Sequence, residues 1–271
     1  DLFEKTGDGL VLCHLINATT GHHVINEKAL NYKQPMSIFH KTENLNKALT
    51  GAKQIGCQVV NIGAQDIVKG NPILILGLVW QIIKLQLLST ISLENFPLLV
   101  VLMQPNETLN AFSKLSAEVL LLRWLNYILK LAGSKKVAKN FEKDLKDSEI
   151  YSEVLHFMSA EECPKIDMEE FSSIKAEQVI FHSKLVGAKV FLNPKDICDG
   201  NRRLNSSLVA QLFHTKHCLE LNTDELKEVY VSTLYFLGRS DQAKDFLREQ
   251  HELKYNPQRN NNGKSNNWQT D

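Results

Sequence analysis

The stretch "DIVKGNPILILGLVWQIIK", Asp66 to Lys84, returns later in the chain as "DICDGNRRLNSSLVAQLFH", Asp196 to His214. Asp, Ile, Gly and Asn align at the start, and Leu74, Leu78, Val79 and Gln81 then fall in register with Leu204, Leu208, Val209 and Gln211. The shared apolar positions have helical spacing. Pro72 stands in the first turn, where a missing N–H is harmless. Asn71 before it, and Asn201 in the copy, can each accept from an otherwise unpaired backbone donor. A helix has been duplicated, and a duplication of this kind decides the fold before anything else does.

The copy extends to either side. "KQIGCQVV" (Lys53 to Val60) pairs with "KLVGAKVF" (Lys184 to Phe191), and "GDGLVLCHLI" (Gly7 to Ile16) pairs more loosely with "KDSEIYSEVL" (Lys146 to Leu155). Each unit reads as helix, loop, helix, short turn, helix. Strand-like alternation is brief, as at "CQVVNI", so the expected fold class is all-α. The second unit opens with a further amphipathic helix, "AEVLLLRWLNYILKLAG", Ala117 to Gly133, with Ser116 as its cap and Gly133 as its stop. Only seven residues precede Asp8, so the first unit is expected to lack this opening helix.

Removing such a helix strips apolar cover at about 25 cal/mol per Å², a loss comparable with a small domain's whole margin. The first unit is therefore expected to be partly folded, or covered by something else. The candidate cover is a helix over Leu226 to Leu237. It belongs to the tail "NTDELKEVYVSTLYFLGRSDQAKDFLREQHELKY", which reads as two helices: Asn222 or Thr223 caps the first, Gly238 ends it and Ser240 restarts the second. Between the units, Ser89 to Thr108 contains Pro97 and Pro105 and forms a connector, too irregular for one helix. The chain accordingly divides into 1–90, a linker 91–115, a second domain 116–218, a helical extension 219–255 and a polar, disordered tail 256–271.

Composition narrows the chemistry. The chain has 43% hydrophobic and 23% charged residues, with Lys+Arg and Asp+Glu both 31, and a zero formal charge gives no footing for nucleic acid. Five scattered cysteines without a CxxC, and no leader segment, fit a reducing cytosol. The glycosylation-type triplets at Asn17, Asn106 and Asn205 carry no weight without secretion. "NPILILGLVWQIIKLQLL" carries Asn71, Gln81, Lys84 and Gln86 and is expected as a buried helix, not a membrane span.

No GxSxG occurs, and "KTGDGLVL" lacks phosphate-loop spacing. Neither His214, His217 and Cys218 nor the pair His22–His23 supplies four local ligands for zinc. The acid pairs Glu161–Glu162 and Glu169–Glu170 are expected in solvent. No enzyme activity, cofactor, metal, membrane or small-molecule substrate is expected.

"ENLNKAL", "GCQVVNIGAQDI", "LGLVWQIIK" and "SAEVLLLRWLNYILKLAG" together resemble the first actin-binding domain of the fimbrin (plastin) family, over roughly Asp1 to Thr215. The resemblance implies two tandem calponin-homology domains of four main helices each, the first shortened at its N-terminus. It implies a cytoplasmic protein of the actin cytoskeleton that binds the side of filamentous actin and belongs to filament bundles. Fimbrins carry two such tandem pairs, with calcium-binding EF-hands ahead of them. Here "DICDGN" lacks the alternating acidic ligands of an EF-hand loop, no second pair is present, and the tail from Asn222 is expected to depart from the family continuation. The alternatives are an interaction scaffold that no longer binds actin, or a fragment without independent function.

Two surfaces are candidates for the filament. On the helix from Pro72, the positions Gly77, Gln81, Lys84 and Leu88 recur at i, i+4, i+7 and i+11 as the one stripe outside the oily remainder. Leu74, Leu78, Trp80, Ile82 and Ile83 can serve as core, and so apolar a helix is either central to its domain or covered by a partner. The resemblance implies that this last helix of the first domain forms part of the actin surface. The copy is more polar, with Arg202, Arg203, Asn205, Ser206 and Ser207. The second candidate is the helix from Ala117, whose Arg123, Asn126 and Lys130 share a face with Tyr127. An internal ion pair is the competing reading for Arg123, and plain core for Trp124.

Overall fold

The computed structural model describes residues 1–21 and 23–255. The polar tail from Asn256, and His22 of the His22–His23 pair, lie outside the described residues. Among those residues the regular structure is helical and contains no strand. The chain divides into two compact units, Asp1–Thr90 and Ile91–Asp271.

In the first unit, α1 (Leu2–Thr6) is followed by α2 (Leu10–Thr20), α3 (Ile38–Gln54), α4 (Ala64–Val68) and α5 (Pro72–Leu88). The start of α5 is as the sequence predicts: Asn71 accepts from the Leu74 N–H at 3.4 Å and Pro72 occupies the first turn. The α2 helix packs on both α3 and α5, enclosing Leu12, Ile16, Leu45, Ile75, Leu78 and Ile82, with Phe3 of α1 against the same cluster. Among the described residues no helix of this unit corresponds to Ala117–Leu131, yet this core is buried.

A fully buried polar residue organises it. Asn44 accepts from the Asn31 N–H at 2.9 Å and donates to the carbonyls of Asn31 (2.9 Å) and Asp8 (3.2 Å). It thereby ties the loop before α3 to the start of α2. Gly9, at φ 81°, passes so close that a Cβ would lie 2.8 Å from the Leu45 nitrogen; only glycine fits both demands.

The second unit contains α6 (Leu109–Phe112), α7 (Ala117–Leu131), α8 (Glu149–Met158), α9 (Ser172–Leu185), α10 (Pro194–Cys198), α11 (Arg202–Thr215), α12 (Asp224–Phe236) and α13 (Ser240–Tyr255). Ser116 caps α7 through the Val119 N–H at 3.4 Å, and Gly133 follows it at φ 70°. Trp124 is core: its indole N–H donates to the His217 carbonyl at 2.7 Å, and Phe213 meets its ring edge-on at 5.5 Å.

The connector packs within this unit. Ile91, Leu93, Leu99 and Val100 are buried. A 3₁₀ helix, Pro97–Leu102, packs on α7 and on α12. Phe96 stands 4.9 Å from the His217 ring and 5.6 Å from Phe213, and Arg239 donates to the Glu94 carbonyl at 2.6 Å.

One expectation is corrected here. The tail helix was to cover the first unit, but α12 directs its buried Thr233 and Leu234 into its own unit and lies over the 3₁₀ helix. The cause is apolar demand within the second unit: "FPLLVVLM" contributes the buried Pro97, Leu99, Val100 and Leu102, and α12 packs on that 3₁₀ helix while its Tyr230 stands edge-on to Phe246 of α13 at 5.1 Å.

Candidate functional site

The α5 helix has two apolar sides. Ile75, Leu78 and Ile82 are buried, with Val79 and Leu85 against the same cluster. On the outside, Ile73 is 81% and Leu76 49% exposed. Trp80, Ile83 and Leu87 are half-buried. Of the residues that could serve as core, Leu78 and Ile82 do, while Leu74, Trp80 and Ile83 are only half-buried: a helix can turn only part of its circumference inward, and the remainder here is oily as well. In the repeat copy the positions of Ile73 and Leu76 hold Arg203 and Ser206. The missed signal was that contrast, position by position.

The stripe of Gly77, Gln81, Lys84 and Leu88 lies beside the loop after α3. Gly77 is half-exposed, and a Cβ there would meet nothing within 4 Å. Gln81 is engaged within the unit. Its side-chain oxygen accepts from the Gln58 N–H at 2.8 Å and its amide donates to the Gln58 carbonyl at 3.2 Å. Lys84 is exposed and Leu88 half-buried. Both line a shallow concavity of about 390 Å³ with Gly56, Gln58 and Ser89. Gln81 thus works as a strut for this loop, while Lys84 reaches solvent.

On α7 the predicted residues separate. Arg123 grips Glu107 with two hydrogen bonds of 2.6 and 3.0 Å, the side chains being 18% and 15% exposed. Its guanidinium also reaches the Leu102 carbonyl at 3.5 Å and sits 5.6 Å from the Phe112 ring centre. That pair holds the Glu107 carboxyl below its usual range, the Arg123 hydrogen bonds being the main cause. Arg123 therefore makes the internal ion pair that was its competing reading. Asn126 exchanges two 2.8 Å hydrogen bonds with the Ala138 backbone and is likewise engaged within the unit. Burial pushes the Tyr127 phenol up. Lys130 is exposed next to the exposed Leu131, and Val119, at the other end of α7, also reaches solvent.

Burial pushes the Cys13 thiol up to about 11 and raises those of Cys57, Cys163 and Cys218, which suppresses the reactive thiolate. Among the described residues, no group of three or more His, Cys, Asp or Glu could hold a metal ion, and no helix is long and apolar enough to cross a membrane.

A duplicated helical unit whose first copy ends in a doubly oily helix defines a class. Residues 1–87 and 115–218 match the calponin homology (CH) domain, and the chain belongs to that family, with two such domains in tandem. Its relatives are fimbrins and plastins. It is 42% identical to Fimbrin-4 of Arabidopsis thaliana over 244 residues, covering 89% of this chain and 37% of that one. It is 42% identical to human Plastin-3 over 224 residues, covering 79% and 35%. The crystal structure of the actin-crosslinking core of Schizosaccharomyces pombe fimbrin superposes with a TM-score of 0.69 at 34% identity, covering 86% of this chain and 47% of that one. The chain thus spans little more than a third of the two curated relatives. An 89% coverage is more than the residues before Asn222 can supply, so the likeness to Fimbrin-4 runs into α12. The expectation that the tail departs from the family at Asn222 is corrected.

Proposed function

We propose that this chain binds the side of actin filaments, as a fimbrin-type tandem pair, with the outer side of α5 as its principal face. The observation that carries this reading is the exposure of Ile73 and Leu76 on a helix whose other side is already core. Lys84 adds a cation at the edge of that face. Gly77 keeps the surface between them low, and Leu88 closes its C-terminal end.

Lys130 of α7, with Val119 and Leu131, is the supporting face on the second unit. Tyr127, half-buried one turn before Lys130 and Leu131, lies on the same side of the helix. Apolar area with a cationic rim suits a partner that buries hydrophobic side chains beside carboxylates. The role is one of binding in the actin cytoskeleton; no reaction is assigned. One tandem pair supplies one filament site, so the proposal is side-binding, with bundling dependent on a second site.

Cosedimentation with actin filaments tests it. The full chain is expected to pellet saturably, and Leu76→Glu to weaken binding at least about tenfold, as for a central interface residue. Failure of the full chain to pellet at tens of micromolar protein rejects the proposal and leaves the non-actin scaffold as the reading.

A further inference from the structure

The second unit carries its own uncovered apolar face, on a different helix. Along α9, Ile174, Phe181 and Leu185 recur at i, i+7 and i+11, on one side of the helix. Phe181 is 59% and Leu185 41% exposed, and Ile174 also reaches solvent. The opposite side of α9 is ordinary core, with Ala176, Val179 and Ser183 buried. In the register set by Lys53 and Lys184, the corresponding residues of α3 are Glu43, Thr50 and Gln54. The outer apolar face therefore belongs to α5 in one copy and to α9 in the other. Shared descent from one helical scaffold does not explain it.

Charge says what fits this face. Toward its N-terminal end lie the exposed Glu169, Glu170 and Glu177, and toward its C-terminal end the exposed Lys184 and Lys189. Between Gln178 and Lys195 the chain has three lysines and no acid. No side chain of Glu177, Lys184 or Lys189 is held in a hydrogen bond or ion pair among the described residues. An apolar seam that is acidic at one end and basic at the other is complementary to itself when turned by 180°, as a two-fold interface requires.

We propose that α9 is a self-association face, pairing antiparallel with α9 of a second copy of this chain. With the two-fold axis near Phe181, the two phenyl rings meet at the centre, and Glu177 of each copy opposes Lys184 of the other. Two helices of 14 residues, each about 21 Å long, bury less than the roughly 1,200 Å² typical of stable complexes. The dimer is accordingly weak and salt-sensitive. Joined this way, two copies carry two α5 faces, as a cross-linker needs. That consequence rests on the actin reading; the pairing does not.

Sedimentation velocity on the full chain, across the micromolar range at low and high salt, tests the pairing. A concentration-dependent monomer–dimer equilibrium is expected, weakened by salt. Phe181→Gln is expected to raise the dissociation constant at least about tenfold with an unchanged helical spectrum and melt, because the side chain is exposed. Glu177→Lys and Lys184→Glu should each dissociate the dimer, and an equimolar mixture of the two variants should restore it, since every crossed pair is then opposite in charge. A chain that stays monomeric throughout overturns the proposal. So does a dimer indifferent to Phe181→Gln, or a mixture that fails to recover. A monomer that instead sediments with phosphatidylserine vesicles, and loses this with Phe181→Gln, assigns the face to anionic membranes and overturns it too. Actin cosedimentation is a separate measurement, so either proposal can fail alone.

Discussion

Tyr151 donates its phenolic hydroxyl to the side-chain oxygen of Asn205 at 3.0 Å in the interior of the second unit. These two residues stand where the first unit has Leu12 and Ile75, both fully buried. One copy of the repeat thus joins α8 to α11 by a polar pair, and the other joins α2 to α5 by hydrocarbon. A buried pair of this kind is costly to break on one side only, about 1–3 kcal/mol for the group left unsatisfied. Tyr151→Phe and Asn205→Leu are each expected to lower the stability of the second unit by that amount. The double substitution should cost less than the two added together, because neither leaves a polar partner behind. A double-mutant cycle by chemical denaturation measures the coupling; additive losses would show that the pair makes no joint contribution.

The Arg123–Glu107 pair gives a pH dependence with a definite sign. Because Arg123 holds the Glu107 carboxyl below its usual value of 4.5, the pair's stabilisation is fully present above that value. It is lost as pH falls below 4.5 and through the lowered folded-state value. Melts of the full chain from neutral to acid pH should show the second unit losing stability in that window. Glu107→Gln should lower the melt at neutral pH and flatten the acid slope. An unaltered slope in the variant would assign the acid sensitivity to other carboxylates.

His217 acts in the same direction at higher pH. Burial holds its imidazole below the usual 6.5, and its Nδ1 accepts the Leu219 N–H at 3.0 Å, a role the protonated ring cannot fill. The neutral form is therefore the folded form, and stability present above 6.5 is lost as pH falls through and below it. His182, also buried and lowered, adds to the effect, so the test substitutes both. The second unit's melting temperature should fall between pH 7 and 5.5 in the parent chain, a window chosen to bracket the ordinary histidine value of about 6.5. It should change less in the His182→Gln, His217→Gln double variant. Equal slopes would exclude the histidines.

The helices were legible because their signals are local. Asn71, Pro72, Ser116 and Gly133 announce ends through single hydrogen bonds and single torsions, and the duplicated register supplied the tandem architecture. What the sequence hid was direction. A stripe such as Gly77, Gln81, Lys84 and Leu88 can be drawn on a helix without knowing that a loop lies over it and takes Gln81. Polar periodicity on α7 likewise marks Arg123 and Asn126, yet Glu107 and the Ala138 backbone lie 16 and 12 residues away in sequence, where no pattern on α7 reports them. The face of α9 was visible as Ile174, Phe181 and Leu185, but only a comparison with α3 makes it unusual.

The placement of α12 over the 3₁₀ helix fixes which unit should suffer from its loss. Removing residues from Asn222 onward uncovers the apolar 91–102 segment and frees the Glu94 carbonyl from Arg239. The truncated chain is expected to melt earlier in its second unit, by several degrees, and to show raised exchange of amides in 91–102. The first unit's amides should keep their protection. Loss of protection in the first unit with none in 91–102 would reverse the assignment.

Gln81 and Leu76 sit on the same helix and should fail in opposite assays. Gln81→Ala removes two hydrogen bonds that hold Gln58, at a net cost of about 1 kcal/mol for such partly exposed bonds. Its actin affinity should stay within about twofold, the usual range for a surface change outside a central contact. Leu76→Ser removes exposed apolar area, so the fold should hold while filament binding drops. The pair separates structural from binding roles on the two sides of one helix, with thermal melts and cosedimentation run on the same preparations. If Gln81→Ala abolishes pelleting while its melt is unchanged, the filament face lies on the Gln81 side of α5 and the Ile73–Leu76 side is not the docking surface.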